Sequence, residues 1–191
     1  QALAKIPTEK YLTDRVDFAT FSSHKFHGVR GVGFVYIKSG KKITPLLTGG
    51  GQERDYRSTT ENLAGIAATA KALRLSMEKL AIFASKTGQM RSVIRQALLD
   101  YPDILIFSDE EDFAPHILTF GIKGVRGEVI VHAFEDYDIF ISTTSACSSK
   151  AGKPAGTLIA MGGDKDKAQS AVRLSLDLEN DMSQVEQRYI I

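Results

Sequence analysis

A mixed α/β fold in two parts is what this 191-residue sequence predicts, and three observations carry the prediction. Val16 to Phe21 is an apolar run of strand length that stops at hydroxyl and basic side chains. From Leu63 to Leu80, apolar residues recur at three- and four-residue steps, the period of a helix with one packed face. After Pro102, short apolar runs alternate with helical patterns, the texture of a small α+β domain. Residues 1–58 therefore read as the end of a larger α/β domain, and residues 59–191 as a long connecting helix followed by a small C-terminal domain.

Taken in order, Ser58-Thr59-Thr60-Glu61 has the capping-box pattern and predicts a helix with Ser58 as N-cap and Glu61 at its third position. Leu63, Ile66, Ala67, Ala70, Leu73, Met77 and Leu80 form its apolar stripe and are expected in the core. Gly88 is expected to break the pattern. A second helix follows, with Met90, Val93, Ile94, Ala97 and Leu98 on one face, and Pro102 stops it. Ile104 to Phe107, Ile117 to Phe120 and Phe140 to Ser142 predict short strands, with a helix over about Gly127 to Glu135 between the last two. Val172, Leu174 and Leu176 alternate with Ala171, Arg173 and Ser175, the period of a strand with one buried face. A helix is expected to close the chain.

Composition narrows the function classes. A hydrophobic content of 43% with 25% charged residues is that of a globular chain able to build a sizeable core. The net charge of +1, without a basic stripe carrying aromatics, argues against nucleic acid as the main partner. No apolar run approaches membrane-spanning length and no secretory signal opens the chain, so a cytoplasmic protein is expected. A single cysteine, Cys147, excludes an intrachain disulfide and a multi-cysteine zinc site. His27, His116 and His132 have no ligand-type spacing and read as structural. The chain starts with glutamine, and the expectation is that an upstream portion has been removed.

Four stretches carry chemistry. Ser22-Ser23-His24-Lys25 ends the first predicted strand: its hydroxyls and imidazole suit a phosphate, and its amine suits covalent work on a carbonyl. The plainer alternative is a solvated turn with a surface lysine. Gly49-Gly50-Gly51-Gln52-Glu53-Arg54, then Arg57-Ser58-Thr59-Thr60-Glu61-Asn62, joins glycines that let a backbone approach a ligand to a helix start that attracts anions. Cys147 lies in Thr143 to Gly156, a run almost without large apolar residues, with two glycines and one proline, expected to be an exposed loop. Lys150 and Lys153 are expected to lower its thiol pKa from the usual ~8.5, which suits collecting an atom in one place and delivering it in another. Arg173, on the polar face of its strand, is ordinarily a surface charge, yet a guanidinium is also the tool for a bidentate carboxylate clamp.

These stretches together resemble one family. Ser22-Ser23-His24-Lys25, with Gly28-Val29-Arg30-Gly31-Val32-Gly33 and Val35-Tyr36 behind it, resembles the signature around the Schiff-base lysine of the cysteine desulfurases. Those are pyridoxal 5'-phosphate enzymes of fold type I within the class V aminotransferases. The resemblance implies that Lys25 carries the cofactor, that Ser22 and His24 bind its phosphate, and that Gln1 reaches its phenolic oxygen. It further implies that Thr60 reaches the phosphate of the cofactor in the neighbouring subunit of a homodimer. Ser170-Ala171-Val172-Arg173-Leu174-Ser175-Leu176 resembles the segment whose arginine holds the substrate carboxylate. The Ser145-Ala146-Cys147-Ser148-Ser149 loop resembles that of the long-loop class, implying that Cys147 takes sulfur from L-cysteine as a persulfide and leaves alanine. The sulfur would then pass to an acceptor protein, a scaffold for iron-sulfur clusters or a thiolation enzyme. Val29, Arg30, Asp55-Tyr56, Thr59 and Asp177 depart from the commoner residues of the pattern.

The resemblance runs through the whole chain and places it in the C-terminal half of a family member. It puts the aspartate that pairs with the cofactor's ring nitrogen and the histidine that stacks on the ring in the other half. The 191-residue piece alone is therefore expected to bind the cofactor weakly and to have little desulfurase activity. Two rivals stand beside this reading: a selenocysteine lyase or other class V aminotransferase, and a non-catalytic dimerisation or acceptor-docking module.

Overall fold

The computed structural model describes residues 2–108, 113–143 and 155–189, with side chains described as far as Glu186. The chain divides into two compact units, Gln1–Ala81 and Ile82–Ile191.

In the first unit β1 (Phe18–Ser22) and β2 (Gly33–Ile37) form an antiparallel hairpin, with Phe18 opposite Ile37 and Ser22 opposite Gly33. Phe21 and Phe34 face each other across it, their rings stacked 4.8 Å apart. The strand starts two residues later than the apolar run predicted, because the Val16 amide is spent on a turn to the Thr13 carbonyl. At its other end β1 runs directly into a one-turn 3₁₀ helix, Ser23–Phe26, closed by His27 in the left-handed region at φ 64°. Phe26 is almost wholly buried and anchors that turn.

The long helix α1 spans Leu63–Glu78. Its N-cap is Asn62, whose side chain accepts from the Gly65 amide at 3.0 Å, and not the predicted Ser58. The competing hydrogen bonds explain the difference: the Ser58 amide donates to the Leu47 carbonyl and Arg57 donates to the Thr59 hydroxyl, so this stretch is held as a loop. Thr60 consequently precedes the helix. The predicted stripe does not form a core face either. Leu63 is 76% exposed and Ile66 and Met77 are also exposed, while the buried residues of α1 are Gly65 and Thr69.

The break between the helices also moves. It falls at Lys79, and α2 runs unbroken from Leu80 to Leu99 through Gly88. A helical glycine costs only about 1 kcal/mol relative to alanine. Here the buried Phe83, Thr87, Met90, Arg91 and Ile94 hold the flanking turns in place.

The second unit is built on a four-stranded sheet of β3 (Ile104–Ile106), β4 (Ile117–Ile122), β5 (Ser142–Thr143) and β6 (Val172–Ser175), in the order β3-β4-β6-β5 with every pair antiparallel. The predicted strand over Phe140 to Ser142 lies slightly further along, since Phe140 is exposed and, among the described residues, Ser142 and Thr143 are the ones that pair with β6 from this side. Leu118 and Phe120 stand opposite Leu174 and Val172 and share one face. Met90 and Ile94 of α2, Ile130 of α3 (Gly127–Glu135) and Val185 of α6 (Met182–Tyr189) join them in a single core cluster. Two short helices, α4 (Gly156–Ala160) and α5 (Lys165–Gln169), precede β6, with Ala155, Ala168 and Ala171 packed together. The Gly127 to Glu135 helix, the alternation along β6 and the closing helix are all as the sequence predicts.

Candidate active site

Where β1 ends, the backbone pattern splits four adjacent polar residues into two groups. Extended backbone at Ser22 passes into the 3₁₀ turn, so Ser22, His24 and Lys25 are exposed while Ser23 has no accessible surface. Ser22 makes no capping hydrogen bond. Ser23 is fully engaged: its amide donates to the Val32 carbonyl and its carbonyl accepts from the Gly28 amide, both at 3.0 Å. Its hydroxyl pairs at 3.0 Å with that of Thr69, which also donates to the Gly65 carbonyl at 2.7 Å. The two serines are thus separated by role: one is available to a ligand and the other is part of the fold.

Glycines make the close approach possible. A Cβ at Gly28 would lie 1.9 Å from the Ser23 hydroxyl oxygen, and one at Gly65 would lie 2.6 Å from a Val32 methyl. The motif glycine Gly28 is therefore there for space. Gly31, at φ +78° with nothing within 4 Å, is there for its conformation.

Further along the first unit, Gly51 begins a turn in which Glu53, Arg54 and Asp55 all lie in the left-handed region, at φ 52°, 57° and 64°. Thr60 is exposed and follows that turn on the way to the Asn62 cap.

In the second unit Arg173 stands on the face of β6 opposite the core. Its cross-strand neighbours are Thr119 of β4 and Ser142 of β5. Its terminal nitrogen donates to the Ser142 hydroxyl at 3.1 Å, while Nε is buried with no hydrogen-bond partner among the described residues. A buried cationic N–H without an acceptor is costly, so this nitrogen is a place for an anionic oxygen. Sequence reasoning singled out Arg173 but missed Ser142, and it counted Ser23 with Ser22 and His24 as suited to a phosphate, whereas the Ser23 hydroxyl is buried and paired with Thr69. The adjacency of the predicted strand ending at Ser142 was the available signal for Ser142; a serine inside a motif gives none for its own burial. Gln1 and Cys147, with Lys150 and Lys153, lie outside the described residues.

Among the described residues no cluster of three or more His, Cys, Asp or Glu could hold a metal ion, and no helix is long and apolar enough to cross a membrane.

The fold and these motifs belong together in one class of protein. The sequence model of the family described as Aminotransferase class-V matches residues 1–187, and the chain belongs to that family. Within it, the chain is 50% identical over 188 residues to a NifS/IcsS protein homolog of Lactobacillus delbrueckii subsp. bulgaricus, covering 98% of this chain and 49% of that protein. It is 37% identical over 168 residues to a cysteine desulfurase IscS of Clostridium botulinum, covering 86% of this chain and 42% of that protein. Among solved structures, a NifS-like protein matches with a TM-score of 0.79 at 35% identity over 92% of this chain and 44% of its own. A NifS-like protein from Rickettsia africae matches with a TM-score of 0.82 at 27% identity over 98% of this chain and 49% of its own. The chain spans about half the length of the relatives it matches.

Family members of this kind are pyridoxal 5'-phosphate enzymes. The donor set at the end of β1 fits that group: an open hydroxyl and an imidazole suit its phosphate, and an exposed amine suits its aldehyde.

Proposed function

We propose that this chain is the lysine- and cysteine-bearing half of a cysteine desulfurase. In this reading residues 1–58 close the cofactor-binding domain, and residues 59–191 form the connecting helix and the small domain. The observation that carries it is the turn after β1, where Lys25 and its neighbours Ser22 and His24 are exposed on a backbone fixed by buried Ser23 and Phe26. Such an arrangement presents an amine at a fixed point without sequestering it.

Nζ of Lys25 would hold the cofactor through its aldehyde, and the same amine, when free, would be the base for the substrate's α-proton. Ser22, His24 and Gln1 bind the phosphate and the phenolic oxygen, and Thr60 serves the phosphate in the neighbouring subunit of a homodimer. Bound pyridoxal phosphate supplies the electron sink that acidifies the α-carbon. Arg173 takes the substrate carboxylate, which gives its buried Nε the acceptor that the described residues do not supply. The Cys147 thiolate attacks the sulfur of L-cysteine. A sulfur-sulfur bond forms, the carbon-sulfur bond breaks with its electron pair to carbon, and protonation there yields alanine and an enzyme persulfide. That sulfur goes to an acceptor protein of iron-sulfur cluster assembly or thiolation, in the cytoplasm. The 191 residues alone bind the cofactor weakly and turn over little L-cysteine.

Borohydride reduction of the full-length holoprotein, followed by peptide mapping, tests the assignment. Label on Lys25 is expected, with sulfide and alanine formed in equal amounts under reducing conditions and lost in Cys147→Ser. Label on another lysine, or sulfur transfer undiminished in Cys147→Ser, overturns it.

A further inference from the structure

We propose that Thr69 and Ser76 of α1 are positioning residues for Lys25, a role that rests on the reading of Lys25 as the cofactor's tether. The two hydroxyls are seven residues apart and so lie on one line of the helix, two turns from each other. Each reaches the short turn that carries the lysine. Thr69 pairs with the buried Ser23 hydroxyl at 3.0 Å, and Ser76 donates to the Phe26 carbonyl at 3.1 Å. Ser23 lies two residues before Lys25 and Phe26 one residue after it. The backbone of the lysine is therefore pinned on both sides while its side chain stays exposed.

A clamp is needed there because the turn is weak by itself. It is a four-residue 3₁₀ segment ending in a left-handed His27, and segments of that type have poor hydrogen-bond geometry. Its closing backbone bonds converge on one acceptor, the Ser23 carbonyl, which takes both the His27 and the Gly28 amides. The helix face that meets it is correspondingly small: Gly65 and Thr69 are buried and Ser76 is half-buried. Covalent chemistry at an amine depends steeply on where that amine sits, so a displacement of the turn is felt at Nζ more than in the stability of the chain.

The test uses Thr69→Val, which keeps shape and removes the hydroxyl, Ser76→Ala, and Thr69→Ser as the conservative rescue. In the 191-residue chain, amide hydrogen exchange at Ser23 and Gly28 is expected to quicken about five- to tenfold in either of the first two variants. Exchange at Phe120 in the second unit should not change, and Thr69→Ser should restore the original rates. In the full-length protein, the share of borohydride-fixed pyridoxal phosphate found on Lys25 should fall about threefold or more in Thr69→Val and recover in Thr69→Ser. Unchanged exchange at Ser23 and Gly28 in both Thr69→Val and Ser76→Ala overturns the proposal, as does a uniform acceleration along the chain. Label on a different lysine in the unaltered protein defeats the tether reading instead, and the exchange data still decide whether α1 holds the turn.

Discussion

Replacing Gly28 with alanine puts a methyl group where the Ser23 hydroxyl already is. The added Cβ would lie 1.9 Å from that oxygen, 3.0 Å from the Ser23 carbonyl oxygen and 3.1 Å from the Ser23 Cβ. The hydroxyl can swing away only by leaving Thr69, and Ser23 has no accessible surface through which water could replace the lost partner. Leaving a buried hydroxyl unpaired costs about 1–3 kcal/mol. The two remaining close contacts are with atoms fixed by the turn, and relieving such overpacking adds about 1 kcal/mol or more. Gly28→Ala should therefore destabilise the chain by about 2–4 kcal/mol. Gly31→Ala is the control: its site is open, and the expected cost is the left-handed backbone alone, about 1–2 kcal/mol. Urea unfolding followed by circular dichroism measures both. The double variant Ser23→Ala/Gly28→Ala removes the hydroxyl from the collision and should show a favourable coupling of about 1 kcal/mol or more relative to the sum of the single variants. A Gly28→Ala protein within about 0.5 kcal/mol of the original, or strict additivity in the double variant, would refute the packing account.

Three further outcomes follow from other residues. Asn62→Ala removes the N-cap of α1 and should cost about 1 kcal/mol, measured by thermal unfolding, whereas Ser58→Ala should cost less because Ser58 does not cap. Arg173→Lys keeps the charge but loses the planar fork beside Ser142; on the proposed function it should raise KM for L-cysteine about tenfold or more in the full-length enzyme with the fold unchanged by circular dichroism. Asp181 accepts from the Ser183 backbone amide, and this hydrogen bond, with that residue's side chain and the Lys86 charge, holds its carboxyl below the ordinary aspartate range. A lowered folded-state pKa gives stability that is present above the unfolded value of about 4 and lost as the pH falls through the folded one. Acid should therefore loosen the start of α6 below about pH 4, and Asp181→Asn, which keeps an acceptor for that amide, should flatten the acid limb seen by amide exchange at Ser183.

Much of the second unit was legible because its signals are local and redundant. The alternation along Val172 to Leu176 fixes which face of β6 is buried, and the same alternation leaves Arg173 on the other face. Gly127 to Glu135 could be read as one helix because its apolar and polar residues segregate cleanly. Gly88 misled because a glycine marks a break only when nothing else holds the helix, and here the packing of α2 overrides local propensity. Ser58 misled for a related reason: a capping pattern is a statement about four residues, whereas the Ser58 amide is bound to Leu47, eleven positions away.

The larger failure is on α1, and it has a physical cause. Hydrophobic periodicity finds the side of a helix that would gain most by leaving water, and on that measure Leu63, Ile66 and Met77 should face inward. Within this chain they face outward, and the buried line runs through Gly65 and Thr69, with Ser76 half-buried on it. What selects that line is distance. The Ser23 turn and Val32 approach α1 so closely that a single Cβ at Gly65 would collide with a Val32 methyl. Larger apolar residues there would push the turn away and break the contacts to Ser23 and Phe26 together. A contact of this kind is specified by what is absent from the side chains, glycine where a methyl would clash and hydroxyls where a hydrocarbon would leave polar groups unpaired. Periodicity scores such residues as neutral, so the face of α1 that bears on Lys25 is the face it passes over.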